Sequence, residues 1–160
     1  MAPYEKVVIR PAAAADLDAI VALWMAMMRE HESFDPRVRL ADTADNAYRQ
    51  YARHYITRGD AAVFVAEHGH EVIGFSLAYR TRNLPMFRPV QYGYLSDLVV
   101  QGTWQGRGVG TALLEKTKQW FRQRGIARIQ LQVYSRNTSA LAFWRKRGFS
   151  DFVHGLWLET

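Results

Sequence analysis

The chain has 160 residues, 49% apolar and 22% charged, the proportions of one globular domain able to bury a core without metal or disulfide staples. It has no cysteine, which excludes disulfides, thiolate nucleophiles and cysteine metal sites together. Its net charge of +6 is unevenly placed: residues 1–100 carry eleven Lys/Arg against twelve Asp/Glu, residues 101–147 carry ten against Glu115 alone, and residues 148–160 carry only two acids. The basic excess is either a solvated helix face or the seat of a bound polyanion. The start, "MAPYEKVVIR", has no apolar signal core, and the longest charge-free apolar segment, Ala19–Met28, is about half the length of a membrane span. One cytoplasmic domain over residues 1–160, without a membrane segment, is expected.

In chain order, "KVVIR" reads as a strand, followed by an amphipathic helix with Leu17, Ile20, Val21, Trp24, Met27 and Met28 at helical spacing. Pro36 marks a loop, and Asp42 to Arg58 predicts a second helix with Ala47, Tyr48, Tyr51 and Tyr55 on one side. "AAVFVAE" and "VIGFSLAYR" predict a hairpin around "HGHE". Two histidines flank the glycine there, but a hairpin turn needs that glycine anyway and no third ligand has suggestive spacing, so no metal is expected. After a loop with two prolines come the strand "QYGYLSDLVV" and a helix from about Val109 to Arg124, stopped by Gly125. "ARIQLQVY" predicts a further strand, "TSALAFWRKR" a short helix closed by Gly148, and "FSDFVHGLWLE" one or two final strands. The whole reads as a mixed α/β domain around a largely antiparallel sheet.

The loop "QGRGVG", Gln105–Gly110, places three glycines at alternate positions between a strand and a helix. Such a turn lets successive backbone N–H groups point at one spot, which the positive end of the helix dipole reinforces, so a phosphate-bearing ligand is expected. A tight turn with close helix packing is the alternative. A mononucleotide loop would end in Gly-Lys-Ser/Thr, where this chain has Gly110-Thr111. A dinucleotide loop would place an acid about twenty residues on, near Gln130 and Gln132.

The spacing Gln105, Gly108, Gly110 fits Q/R-x-x-G-x-G/A, and here the sequence resembles the GNAT superfamily of acetyl-CoA-dependent N-acetyltransferases. "DLVVQGTWQGRGVGTALL" resembles the family's signature strand, pyrophosphate loop and helix, "NTSALAFWRKRGF" its second motif, and "IRPAAAADLDAIVALW" its usual opening. The resemblance implies an α/β (α+β) fold with a mixed, mostly antiparallel central sheet of six to seven strands and about four helices. It further implies acetyl-CoA as cosubstrate. The pantetheine arm would pair with Leu98, Val99 and Val100, the pyrophosphate would lie on the amides of Gly106, Arg107, Gly108, Val109, Gly110 and Thr111 after Gln105, and Asn137, Ala140 and Phe143 would border the arm. Coenzyme A then occupies the basic half, and nucleic acid becomes the weaker reading.

Acetyl transfer to an amine needs a neutral nucleophile, a donor for the oxyanion and a leaving group. The resemblance places a base at Asp97 and an oxyanion donor at the backbone of Val99 or Val100. Trp144 stands where the family commonly has a tyrosine acid; its indole N–H is a donor that cannot yield its proton, and Tyr134 is a possible replacement. Glu30, His31, Glu32 and Asp35 are expected to border the acceptor, a primary amine on a small molecule, amino acid or peptide. A catalytically weak acyl-CoA sensor is the alternative from another class, and a homodimer through the last strands or the sheet edge is compatible with the resemblance.

Overall fold

The computed structural model describes residues 6–160; residues 1–5, which begin the expected 1–160 domain, lie outside them. Apolar runs, continuous in the two strands buried on both faces, build β1 (Val8–Pro11), β2 (Ala61–His68), β3 (Glu71–Arg82) and β4 (Gln91–Val100), and a two-residue β5 (Ile129–Gln130) completes one sheet in the order β1-β2-β3-β4-β5. β1 to β4 run antiparallel and β5 pairs parallel to β4. The helices among the described residues are α1 (Leu17–Phe34), α2 (Ala44–Thr57), α3 (Val109–Arg122) and α4 (Thr138–Lys146).

The period of two sends neighbouring strand residues to opposite faces, and each face has its own helices. Val63, Val65, Phe75, Leu77 and Val99 meet Leu17, Ile20 and Val21 of α1 and Tyr48 and Ala52 of α2. Ala62, Phe64, Ala78 and Leu95 meet Val109, Leu113, Leu114 and Phe121 of α3. Phe121 lies so close to Gly93 that a Cβ there would stand 2.6 Å from the ring, so the glycine is what lets α3 approach β4. The buried hydroxyls of Ser76 and Thr117 satisfy each other at 3.1 Å, and Thr117 also donates to the Leu113 carbonyl. Arg10 joins β1, the start of α1 and β2 by bonding both Asp16 and Glu67.

The sheet has five strands, fewer than the six to seven expected, and both differences lie at its C-terminal end. "ARIQLQVY" contributes only Ile129 and Gln130 to the ladder, because the chain parts from β4 beyond them. "FSDFVHGLWLE" forms no strand: beyond Phe149, which packs on the α3 core, residues 150–160 find no backbone partner and their apolar side chains stay exposed, Leu156 at 96%. Alternation supplies β-propensity, but a strand also needs an edge to pair with.

Candidate active site

β4 and β5 are paired only at Gly93↔Ile129 and Tyr94↔Gln130. Beyond that point β4 continues to Val100, bonded to β3 through Leu98↔Ser76, Val99↔Phe75 and Val100↔Gly74, while its other side lines a cleft opposite residues 131–135. The cleft is open and large, ≈ 2250 Å³. A half-paired strand along one wall suits an extended, amide-rich ligand that takes the place of a strand.

One end of the cleft is the glycine turn. Gln105 Nε2 donates to the Val100 carbonyl at 3.1 Å and fastens the turn to the strand end. Gly106 and Gly108 take φ of +73° and +85°, conformations that disfavour any other residue, and a Cβ at either would meet nothing within 4 Å. Gly108 is the N-cap of α3 and offers no side-chain cap, so the first amides of that helix have no side-chain acceptor. At Gly110 a Cβ would be 3.3 Å from the Phe143 ring and 3.5 Å from Leu98, a close approach of α3 to α4. These features meet the demands of an anion at a helix N-terminus. Gln105, Gly106 and Gly110 line the cleft; the Val109 side chain turns into the core, and Arg107 lies over the Trp104 ring, 5.2 Å from its centre. Thr111 Oγ1 accepts a bond from Arg147 Nε at 3.1 Å, and that guanidinium also stacks 3.5 Å over Phe143. Arg147 is a cation at the turn that sequence reasoning missed, legible only as one of ten in the basic stretch.

The other wall is the start of α4. Asn137 caps it, its Oδ1 accepting the Ala140 amide at 3.1 Å, and its Nδ2 faces His31 Nε2 at 3.1 Å. His31 Nδ1 donates to the Met27 carbonyl at 2.8 Å, which leaves Nε2 as acceptor and fixes the tautomer. Ala140, Phe143 and Trp144 line the cleft. Trp144 packs edge-on against Phe143 and Phe149, with centroids 4.9 and 5.2 Å away, and borders the α3 core; no bond to its indole forms among the described residues. Tyr134 lies four residues past the end of β5, so it does not share a strand face with Gln130 and Gln132. It is 46% exposed, with its ring 5.2 Å from that of His31.

In mid-strand, Ala78 pairs with Leu95 and Leu77 with Asp97, so Ser96 is the extra residue of a β-bulge. The bulge turns both Ser96 and Asp97 toward α1 and α2. Tyr51 donates to Ser96 Oγ at 3.0 Å, and Ser96 donates to Asp97 Oδ2 at 2.7 Å. The buried Tyr48 hydroxyl faces the same carboxylate without completing a hydrogen bond. Burial pushes the Asp97 carboxyl above the ordinary aspartate range, against smaller opposing effects of Ser96, Tyr48 and Trp24. The arrangement is a recessed carboxyl with raised proton affinity beside a half-paired strand, a group able to take up a proton from a ligand in the cleft.

The acidic loop expected to meet the acceptor is largely engaged within the chain. Asp35 holds Arg37 and Arg136, Glu32 accepts the Leu40 amide, and His31 joins α1 to Asn137. Glu30, His31 and Asp35 nonetheless line the cleft, and its wall beside Asp97 is aromatic, formed by Trp24, Tyr48, Tyr51 and Tyr94. Helical spacing places Tyr48 and Tyr51 on one face, yet a face shared between core and cleft has the same pattern as one wholly buried. Among the described residues, no group of three His, Cys, Asp or Glu could hold a metal.

The acetyltransferase (GNAT) family matches residues 24–149. An uncharacterized N-acetyltransferase of Archaeoglobus fulgidus is 28% identical over 136 residues, 85% of this chain and 88% of the relative. An uncharacterized N-acetyltransferase of Methanocaldococcus jannaschii is 26% identical over 103 residues, 64% of this chain and 45% of the relative, so the chain spans under half of that protein. Two Bacillus subtilis relatives, an uncharacterized N-acetyltransferase and an uncharacterized protein, are matched over 24% and 28% of their lengths. The fold is shared with a predicted acetyltransferase from Clostridium acetobutylicum solved with acetyl-CoA, at TM-score 0.79 and 18% identity over 96% of both chains. It is shared too with an aminoglycoside N-acetyltransferase solved with CoA, at TM-score 0.77 and 16% identity over 100% of this chain and 98% of that one.

Proposed function

The chain belongs to the acetyltransferase (GNAT) family, and we propose that it transfers an acetyl group from acetyl-CoA to a primary amine by direct attack in a ternary complex. The observation that carries this reading is the wedge opened where β4 leaves β5, with a left-handed glycine turn at its end and the Asp97 carboxyl at its bulge. When bound, acetyl-CoA supplies an acetyl thioester whose thiol is a fair leaving group near neutral pH. Leu98, Val99 and Val100 pair with its amide-rich arm, bordered by Asn137, Ala140 and Phe143. The amides from Gly106 to Thr111, at the positive end of α3, take the phosphate charge. Asp97 accepts the proton of the attacking amine, and the Val99 or Val100 N–H meets the charge that develops on the carbonyl oxygen. Tyr134 on the opposite wall is the phenol available to protonate the departing sulfur, while Trp144 shapes the channel.

Incubation with acetyl-CoA and a panel of amines tests the proposal: one amine gains the mass of an acetyl group at a rate proportional to enzyme. Tight acetyl-CoA binding with no acetylated product would instead identify an acyl-CoA sensor, the reading favoured by the packed Trp144 in the place of a phenolic acid. Homodimer formation belongs to the same proposal, since Phe152, Val153, Trp157 and Leu158 are 66–84% exposed in one chain. Sedimentation of the full chain and of a chain ending at Ser150 decides it, the full chain alone sedimenting as a dimer.

A further inference from the structure

The recessed acids Asp16 and Asp35 each hold an arginine, but Asp97 has only neutral groups around it. Ser96 donates to it, and the Tyr48 hydroxyl and Trp24 indole face it. A carboxylate recessed without a cation is costly unless a cation arrives with the ligand. The Tyr48 hydroxyl, 6% exposed as a residue and without a hydrogen bond, marks the same spot as incomplete.

What surrounds that spot is a continuous run of rings. Trp24 stacks on Tyr48 at 4.1 Å and 6°, Tyr48 meets Tyr51 at 5.7 Å, and Tyr51 meets Tyr55 edge-on at 4.9 Å. Tyr55 stacks on Tyr79 at 4.6 Å, and Tyr79 meets Tyr94 at 5.5 Å. The run crosses from α1 over α2 to β3 and β4, and Trp24, Tyr48, Tyr51 and Tyr94 border the cleft beside Asp97. Packed side by side, the rings are held in place before any ligand arrives. Aromatic faces and one carboxylate recognise a single ammonium on an apolar body. A polycation with many hydroxyls needs several free acids around one spot, yet of the acids that line the cleft Asp16 and Glu67 are engaged by Arg10, Asp35 by Arg37 and Asp151 by Arg145, which leaves Glu30 on α1 and Glu71 at the start of β3 without an ion pair among the described residues.

We propose that the acceptor is a monoamine whose ammonium sits on an aromatic or alkyl stem, with the stem on Trp24 and Tyr51 and the ammonium at Asp97. This rests on the acetyl-transfer reading of the same cleft. The test compares phenethylamine, hexylamine, spermidine and kanamycin with the full chain and acetyl-CoA. kcat/KM for the two monoamines is expected to exceed that for the two polyamines at least ~10-fold, the scale of one well-placed cation–aromatic contact. Tyr51→Leu, which removes the ring, raises KM for phenethylamine ~10-fold and leaves acetyl-CoA affinity unchanged, whereas Tyr51→Phe keeps the ring and shifts KM less than ~3-fold. Preference for spermidine or kanamycin, or an unchanged KM in Tyr51→Leu, overturns the proposal while acetyl transfer stands. If acetyl-CoA binds and none of the four amines is acetylated, the transfer reading fails. Calorimetric titration of phenethylamine into the acetyl-CoA complex then decides the acceptor class alone: binding lost in Tyr51→Leu supports it, and absent or unaltered binding overturns it.

Discussion

Asp97 makes two separable predictions because its charge is penalised in the fold and, in the proposed reaction, takes the proton of the amine. Its folded pKa is raised, so the ionised form costs stability at neutral pH, and the cost disappears as pH falls through the folded pKa toward the ordinary value of 3.8. Asp97→Asn therefore raises Tm at pH 7.5, and the gain shrinks as the pH is lowered toward 3.8, as thermal melts across pH read out. The same variant lowers turnover on the order of a hundredfold where Asp97 is ionised and the amine is not yet free, and the deficit narrows as pH rises toward the amine's own pKa. A pH–rate profile of unchanged shape would leave Asp97 a purely structural bulge residue. Trp144 behaves differently, since its indole is wedged between Phe143 and Phe149. Trp144→Phe leaves a void beside the cleft, so acetyl-CoA affinity and turnover fall together, each by about tenfold or less. Normal affinity with a thousandfold slower rate would make the indole N–H part of the chemistry.

At the scale of elements, the turn before α3 is specialised for backbone exposure. Gly108→Glu places a side chain at φ +85° in open space, at a cost of about 1–2 kcal/mol to the fold, and sets a carboxylate before the amides meant for phosphate. Circular dichroism of a folded chain and calorimetry showing no acetyl-CoA binding are the expected pair of results; unchanged affinity would remove the turn from the site. This element was legible in the sequence, since alternating glycines between a strand and a helix leave few alternatives, and β4 occupies the residues Gln91–Val100 that its pattern predicts. The bulge at Ser96 was not, because a one-residue slip in pairing is a property of two strands and neither sequence announces it. Tyr48 and Tyr51 were visible as one face of α2, but only the bulge shows what that face looks onto. Glu30, His31 and Asp35 do line the cleft, but the partners of Glu32 and Asp35 were not legible: they bond Leu40, Arg37 and Arg136, contacts set by how the loop closes.

At the scale of the molecule, the weak seam is the two-pair junction of β4 with β5. Residues 131–160 are held to the rest by few ties, among them Asn137 to His31, Arg147 to Thr111, and the packing of Trp144 and Phe149 on the α3 core. Such a segment opens on its own, at a free energy below that of global unfolding. Its amides should therefore exchange with deuterium well before those of β2 and β3, which sit at the centre of the sheet. A ligand lodged between β4 and the opposite wall stitches the seam, so saturating acetyl-CoA should slow exchange across residues 131–147, by a factor that grows with ligand concentration over Kd. Proteases should follow the same order, nicking the free chain within residues 131–160 and sparing the loaded one. Equal protection of β3 and residues 131–147 without ligand would mean that the junction is no seam. With it, the cosubstrate binding proposed above would also set how long the polypeptide survives in the presence of proteases.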